Sequence, residues 1–593
     1  MQRVDAFYTK TISSLEFQLD SVQKSRRKTA NVRVVIAILV AASVYAAVNL
    51  NTSILWISPL LIGWFVVMVK KSSKLEREQQ IIERKLALNR NELAFMNGSK
   101  DVFDAGSALI PRNHLYALDL DIFGTGSLFQ TVNRTVTFEG RDLLVTALLN
   151  PPIEPTVVTQ RRAASTELRD ASEWRQQFYA LGALSGETAS DSAEMRTWVL
   201  QEKFFNDKKQ WPWIAGVMSA ISSSFIAYMI LKGAFNFGPF LGLMAFNSFL
   251  IQWIGKDIKK YFLTFGQRTK LYEKFSELFS MVAARNFTSP LCKEAQSKSR
   301  TASAAFLKLS RLSNLADQRL NGFMGPVMNG LFLFDIWTIR RIEEWRATHG
   351  AQIDEWIQAL AQMDMINSLA NFSFNHPAFC TAVIDGTSKA IVASEMGHPL
   401  LPANAIKNDY EVGVSTRAHI ITGSNMAGKS TFIRATGLNV ILALNGLPVC
   451  ARKFSCPVLR VVTCIRITDS LEDDTSYFKA ELLRLKHIID VLGEGVECLV
   501  LLDEILRGTN SDDKRNGTMA FYRKLRNYDC LALLATHDLA VGELEKEDPS
   551  YFGNYCFEST VIDQSLHFDY KLRKGGSAST NASFLMKGLG LID

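Results

Sequence analysis

Apolar positions along this 593-residue chain follow three patterns. The first is long and uncharged. Val34 to Leu50 is one such run, Asn51-Thr52-Ser53 interrupts it, and Ile54 to Val69 resumes it. Trp211 to Leu231, a turn from Lys232 to Asn236, and Phe237 to Gly255 repeat the plan. Each arm is about as long as the ~17–25 residues that a bilayer span needs. The pattern predicts two transmembrane helical hairpins; the rival reading is two hairpins buried in a core. Lys24, Arg26, Arg27, Lys28 and Arg33 precede the first pair, and Lys70, Lys71 and Lys74 follow it. Lys208 and Lys209 precede the second, and Lys256, Lys259 and Lys260 follow it. Cations at these ends place them in the cytoplasm, with Trp211, Trp213 and Trp253 at the interface. A further run, Phe323 to Trp337, contains Pro326, Asn329 and Asp335 and reads as a core helix.

The second pattern is helical. Ser72 to Asn97 is charged, with a partial stripe of Leu75, Ile81, Ile82, Leu86 and Leu88. Tyr261 to Leu369 carries helical spacing over roughly 261–285, 299–322, 330–348 and 351–371, an all-α region. Leu184-Ser-Gly-Glu187 reads as a loop, and Phe275-Ser-Glu277 as packing. The third pattern begins after Asn371, where short β-rich runs alternate with turn residues (Cys380 to Ile384, Ala390 to Ser394). A domain boundary near 375 follows.

Composition narrows this only a little. The net charge of +7 neither demands nor excludes nucleic acid, because a basic patch can hide in a nearly balanced total. Eight scattered cysteines include no C-x-x-C pair. They read as reduced thiols in a cytoplasmic compartment, with no zinc. Met1 to Ala30 is polar, so no cleavable signal is expected at its start.

The chemistry concentrates in the β-rich part. Gly423, Ser424, Asn425, Met426, Ala427, Gly428, Lys429, Ser430 and Thr431 fit G-x-x-x-x-G-K-[ST]. The buried run Ala418 to Thr422 precedes them, and helical spacing follows to Leu447. Glycines let a backbone wrap an anion, and N–H groups at a helix start hold phosphates. Lys429 would reach the β- and γ-phosphates of ATP or GTP, and the Ser430 hydroxyl would bind Mg²⁺. Glu497 to Glu504 reads as a buried strand delivering two carboxylates, Asp503 for Mg²⁺ and Glu504 as general base. Leu531 to His537 is another buried strand, placing His537 to sense the γ-phosphate. Ser476, before Glu481, sits at a helix start suited to capping or to anion contacts.

With these residues in place, the chain resembles the MutS family of ABC-type ATPases. The family's G-P-N-M-G-G-K-S-T resembles Gly423 to Thr431, and its D-E-I-G-R-G-T resembles Asp503-Glu-Ile-Leu-Arg-Gly-Thr509. Its A-T-H is matched by Ala535-Thr-His537, and its S-T-F-x-x-E by Ser476-Tyr-Phe-Lys-Ala-Glu481. Ser127-Leu-Phe, Arg134 to Thr137 and Gly140 resemble its lever region, and Tyr570 to Gly575 its last strand. The resemblance implies a homodimer in which each ATP is held by one copy's phosphate loop and by Ser476 of the other, moving helical levers. No G-x-F-Y-E stands near the N-terminus, so the resemblance does not extend to reading mismatches.

The fold expected is therefore an α/β P-loop (ABC-type) ATPase domain, an all-α lever and two transmembrane hairpins. The expected division is a cytoplasmic helix at 1–30, a hairpin at 31–71, a connector at 72–114, the first lever part at 115–205, a hairpin at 206–256, the second lever part at 257–375, and the ATPase domain at 376–593. Such a protein would sit in the cell membrane as a multi-pass protein, its N-terminus, lever and ATPase domain in the cytoplasm. Two functions stay open: action on DNA, or an ATP-driven switch binding protein or lipid partners.

Overall fold

The computed structural model describes residues 2–49, 57–111, 113–232, 237–265, 268–384, 388–424, 426–466, 477–508, 510–562 and 565–576. The predicted hairpin turn at 51–53 and residues 233–236 of the one predicted at 232–236 lie outside these residues, as do Asn425, Ser476 and Thr509.

Helix α1 (Gln2–Asn49) joins the polar N-terminal stretch and the first apolar arm in one piece. Neither glycine nor proline occurs within it, so nothing in the backbone stops the helix at the change of polarity. Helix α2 (Ile57–Met96) likewise carries the second arm on into the charged stretch. The two run antiparallel. Leu15 and Val22 meet Ile82 and Leu86 at the polar end, where Arg26 donates to Gln79 at 2.7 Å and Arg33 to Ser72 at 3.1 Å. Toward the apolar end, Ser43 and Ser58 share a buried hydrogen bond of 3.0 Å.

The helical body follows: α3 (Leu128–Val132), α4 (Phe138–Leu149), α5 (Pro155–Arg169), α6 (Ser172–Gly182) and α7 (Ala189–Leu200). The chain then gives α8 (Trp211–Lys232), α9 (Phe237–Trp253) and α10 (Gly255–Phe265). It continues through α11 (Thr269–Ala284), α12 (Pro290–Gln318), α13 (Met324–Phe332), α14 (Phe334–His349) and α15 (Ile353–Asn375). Phe275, Phe279, Phe306, Trp345 and Trp356 fill its core. Among the described residues, Arg3–Ala46 and Trp211–Lys232 are long and apolar enough to cross a membrane. A third candidate arises if α9 and the start of α10, bent by 63°, count as one broken span.

The run from Phe323 to Trp337 is not one core helix. It breaks at Leu333, whose φ of 50° is left-handed, and Asn329 Oδ1 caps the next helix by accepting from Asp335 N at 2.9 Å. Only α14 enters the core; α13 packs on α8 and α9 instead. Asn247 of α9 donates to Gly330 O at 2.8 Å, and Ser219 of α8 to Phe332 O at 3.0 Å. These side chains satisfy carbonyls that a helix end leaves unpaired.

Among the described residues, the C-terminal part holds three sheets. Short strands β1 (Cys380–Thr381) and β2 (Val383–Ile384) lead into β3 (Ile391–Met396), β4 (Asn408–Val412) and β5 (Ala418–Gly423). After α16 (Lys429–Leu444) come β6 (Pro448–Val449), β7 (Lys453–Cys456) and β8 (Arg460–Cys464). Then follow α17 (Tyr477–Leu492), β9 (Cys498–Asp503), α18 (Ser511–Leu525), β10 (Cys530–Ala535) and α19 (Leu544–Glu547). Strands β11 (Phe552–Ile562) and β12 (Ser565–Lys574) close the described chain. The main sheet has the order β12-β11-β5-β10-β9-β8. All its pairs are parallel except β11–β12. Strands β5, β9 and β10 are buried at every position, as continuous apolar runs in a covered parallel sheet should be.

Buried polar joints tie these parts together. Glu92 of α2 pairs with Arg134 at 2.6 Å and accepts from Asn371 at 2.7 Å and Asn375 at 3.1 Å on α15. Tyr8 of α1 donates to the same Asn375 at 2.7 Å. Asp119 accepts from Thr463 Oγ1 at 2.5 Å, Ile465 N at 3.1 Å and Arg466 N at 2.8 Å, joining the helical body to the end of β8. Removing one partner of a buried ion pair strands the other charge, at a cost of ~3–5 kcal/mol. Glu92→Ala is thus expected to lower the thermal midpoint of the solubilised protein markedly, and Glu92→Gln to lower it less. An unchanged midpoint in Glu92→Ala would remove this joint from the account.

Candidate functional site

Strand β5 ends at Gly423, and α16 begins six residues later at Lys429. Gly423 has a φ of 146°, and a Cβ there would stand 2.6 Å from Phe557 O on the neighbouring strand. Gly428 has a φ of 108°. Neither position tolerates a side chain without strain, so the tight path from strand to helix depends on glycine. Lys429 is buried and bends back over the loop, donating to Gly423 O at 2.7 Å and Ser424 O at 3.0 Å. Burial lowers its pKa, against the pull of Glu504 and Asp503.

The parallel order brings the ends of β5, β9 and β10 side by side. Ser430, at the start of α16, donates to Asp503 Oδ2 at 2.5 Å, across from the end of β9. Burial raises the Asp503 pKa, partly countered by Ser430. Glu504 follows with a φ of 51°, and its N–H donates to Ala535 O at 2.9 Å. Just past β10, His537 Nδ1 reaches Glu504 Oε1 at 3.0 Å. Burial works against a charged Glu504, but His537, Arg507 and Lys429 outweigh it and hold its carboxyl below the usual range. The outcome is a pair of adjacent carboxylates with different settings: one hydrogen-bonded to a hydroxyl and pushed up, one held ionised. Divergent neighbouring acids are a mark of working sites.

The turn after Glu504 is strained, with Leu506 also left-handed at a φ of 62°. Glu481 of α17 holds it in place. Its buried carboxylate accepts from Leu506 N at 2.6 Å and Arg507 N at 3.1 Å. Arg507 in turn donates to the carbonyl of Glu504 at 3.0 Å.

Of the sequence-predicted residues, Gly423, Ser424, Met426, Ala427, Gly428, Lys429, Ser430 and Thr431 lie on the loop and first turn. Asp503, Glu504 and His537 converge on them. Met426 is exposed, with a φ of 69°. Asn425 and Ser476 fall outside the described residues. The sequence reading assigned nothing to Arg507, though it stands three residues past Glu504, nor to Glu481 as the brace of this turn. It also missed Asp121, whose carboxylate meets Arg434 of α16 at 3.2 Å and Arg466 at 2.5 Å. That link runs from the helical body directly onto the helix that starts at Lys429.

Residues 419–586 match MutS domain V. The chain is similar to the DNA mismatch repair protein MutS of Protochlamydia amoebophila (strain UWE25), at 30% identity over 322 residues, 53% of this chain and 34% of that protein. It is 28% identical over 246 residues to the DNA mismatch repair protein MutS of Natronomonas pharaonis, covering 41% of this chain and 28% of that one. Against the protein of that name from Thermotoga petrophila it is 33% identical over 200 residues, 32% of this chain and 24% of the other. The match thus spans about a third or less of these relatives' own length. The part that carries the glycine loop, both carboxylates and His537 thus matches MutS domain V, and over about half of its length the chain is similar to MutS proteins.

Proposed function

We propose that this chain is a membrane-anchored MutS-like ATPase, in which ATP binding and hydrolysis within a homodimer move the helical body. The observation that carries the reading is the convergence of Ser430, Asp503, Glu504 and His537 beside the glycine loop. ATP with Mg²⁺ fits this donor set. A serine hydroxyl and a carboxylate are hard oxygen ligands of the kind Mg²⁺ takes alongside substrate phosphates. Lys429, buried and turned on neutral carbonyls, is a cation suited to an anionic partner.

Bound there, MgATP supplies the phosphoryl group whose transfer to water releases ADP and phosphate. Lys429 and the loop N–H groups, including those of Asn425, hold the phosphates. Ser430 and Asp503 hold the metal. Glu504, kept ionised, takes the proton of the attacking water, and His537 fixes its orientation. Ser476 of a second copy completes the site, as the family resemblance implies. The Asp121 link to Arg434 gives movement of α16 a route into the helical body.

The apolar helices α1 and α8 support a place in the cell membrane, with the body and domain V on the cytoplasmic side. DNA is the ligand proposed, since the relatives are named for DNA mismatch repair. The alternative is a switch that acts on protein or lipid partners at the membrane. What favours it is the seating of α13 on α8 and α9, which binds the lever region to the apolar helices.

Glu504→Gln is expected to retain ATP binding and lose turnover by ~10²–10⁴-fold, the usual worth of a positioned general base. Wild-type turnover in that variant would remove Glu504 from the role. The detergent-solubilised protein is expected to bind duplex or branched DNA at low salt, with affinity falling steeply as salt rises, and to hydrolyse ATP faster with DNA present. Absence of binding by fluorescence polarisation at low salt would leave the membrane switch as the reading.

A further inference from the structure

Beside the second apolar pair lies a crevice of about 460 Å³ between α8, α12, α13 and α14. That volume is within the ~300–1,000 Å³ typical of small-molecule sites. Leu315, Met328, Phe332, Phe334 and Trp337 supply its apolar wall. The polar groups in this wall are already engaged: Ser219 donates to Phe332 O at 3.0 Å and accepts from Trp337 Nε1 at 3.2 Å, and Thr338 donates to Phe334 O at 2.9 Å. Arg341 stands at the edge, exposed, with no ion pair or side-chain hydrogen bond among the described residues. Its neighbour Arg340, by contrast, pairs with Glu344 at 3.0 Å and lies over the Trp337 ring.

The depth of these groups follows from the helices that carry them. Ser219 lies eight residues past Trp211, or about 12 Å along α8 at 1.5 Å per residue. Trp337 touches α8 at that level. Arg341 is one turn further along α14, about 6 Å closer to the body. Beyond it Trp345 packs on Trp198 and Phe306. The crevice is therefore apolar alongside the middle of the apolar helix and cationic toward the end that meets the body. A phospholipid divides in the same way, with its acyl chain deep and its phosphate at the interface.

We propose that this crevice is a binding site for a single anionic phospholipid, its acyl chain on the Phe332–Trp337 wall and its phosphate on the Arg341 guanidinium. This rests on the reading that α8 and α9 enter a membrane. A guanidinium–phosphate bond is charge-assisted, and its loss weakens binding by about tenfold or more.

The test uses the full-length protein, delipidated in detergent and offered dioleoyl phosphatidylglycerol or dioleoyl phosphatidylcholine, with retained lipid counted by native mass spectrometry. The wild type is expected to retain phosphatidylglycerol in preference to phosphatidylcholine. Arg341→Gln is expected to lose about tenfold of that retention, Arg341→Lys to restore part of it, and Arg340→Gln to leave it unchanged. Equal retention of both lipids by the wild type, or undiminished retention by Arg341→Gln, overturns the site. Flotation with liposomes separates this from the membrane reading. A protein that floats but shows no Arg341 dependence lacks the site, and a protein that does not float lacks the membrane placement on which the site rests.

Discussion

A carboxylate taken out of water must be surrounded by donors, and much of this molecule is arranged around meeting that demand. Asp364, fully buried on α15, accepts from the N–H groups of Val136 and Thr137 and from the Thr137 hydroxyl. Burial still pushes its pKa up to about 6. Asp119 does the same for the end of β8, and Glu481 for the turn after Glu504. In each case the donors are backbone groups in an irregular segment, which would otherwise be unpaired. The carboxylate and the loop solve each other's problem, and the loop is fixed as a result. Two of the three loops border the candidate site. Its geometry therefore depends on side chains that take no part in the chemistry proposed for it.

What the sequence made legible was local. The glycine loop is nine consecutive residues, and its strand and helix announce themselves by burial period on either side. The acidic strand and the strand before His537 are short apolar runs, and a parallel sheet places their ends together whatever lies between. The bracing contacts were not legible for the opposite reason. Asp119 meets Thr463, Glu92 meets Arg134 and Asn371, and Glu481 meets Leu506 across stretches of chain that no pattern links. The continuity of α1 was obscured because a change of polarity looks like a boundary, whereas backbone geometry responds to glycine and proline. The break at Leu333 was hidden because a left-handed leucine has no sequence signal.

Domain V is held to the helical body at points that differ in kind. The Asp119 contact is to backbone and buried, so it moves only with the segment itself. Asp121 is a more open contact shared by two arginines on different elements, Arg434 on α16 and Arg466 past β8. A partly exposed ion pair of this sort is weak and easily re-formed. Between and behind these two contacts, Leu120, Ile122, Phe123 and Leu128 share one buried apolar core with Ile421, Phe432 and Ile433, so the polar contacts edge a joint whose interior is hydrophobic.

The unbroken course of α1 has a mechanical meaning. Its 48 residues make a rod of ~72 Å at 1.5 Å per residue. Near one end, Phe7 and Tyr8 touch Phe374 and Asn375, where α15 gives way to the first strand of the C-terminal part. The other end is apolar. One unbroken element therefore spans the whole distance from the apolar end to the place where the helical body hands over to domain V.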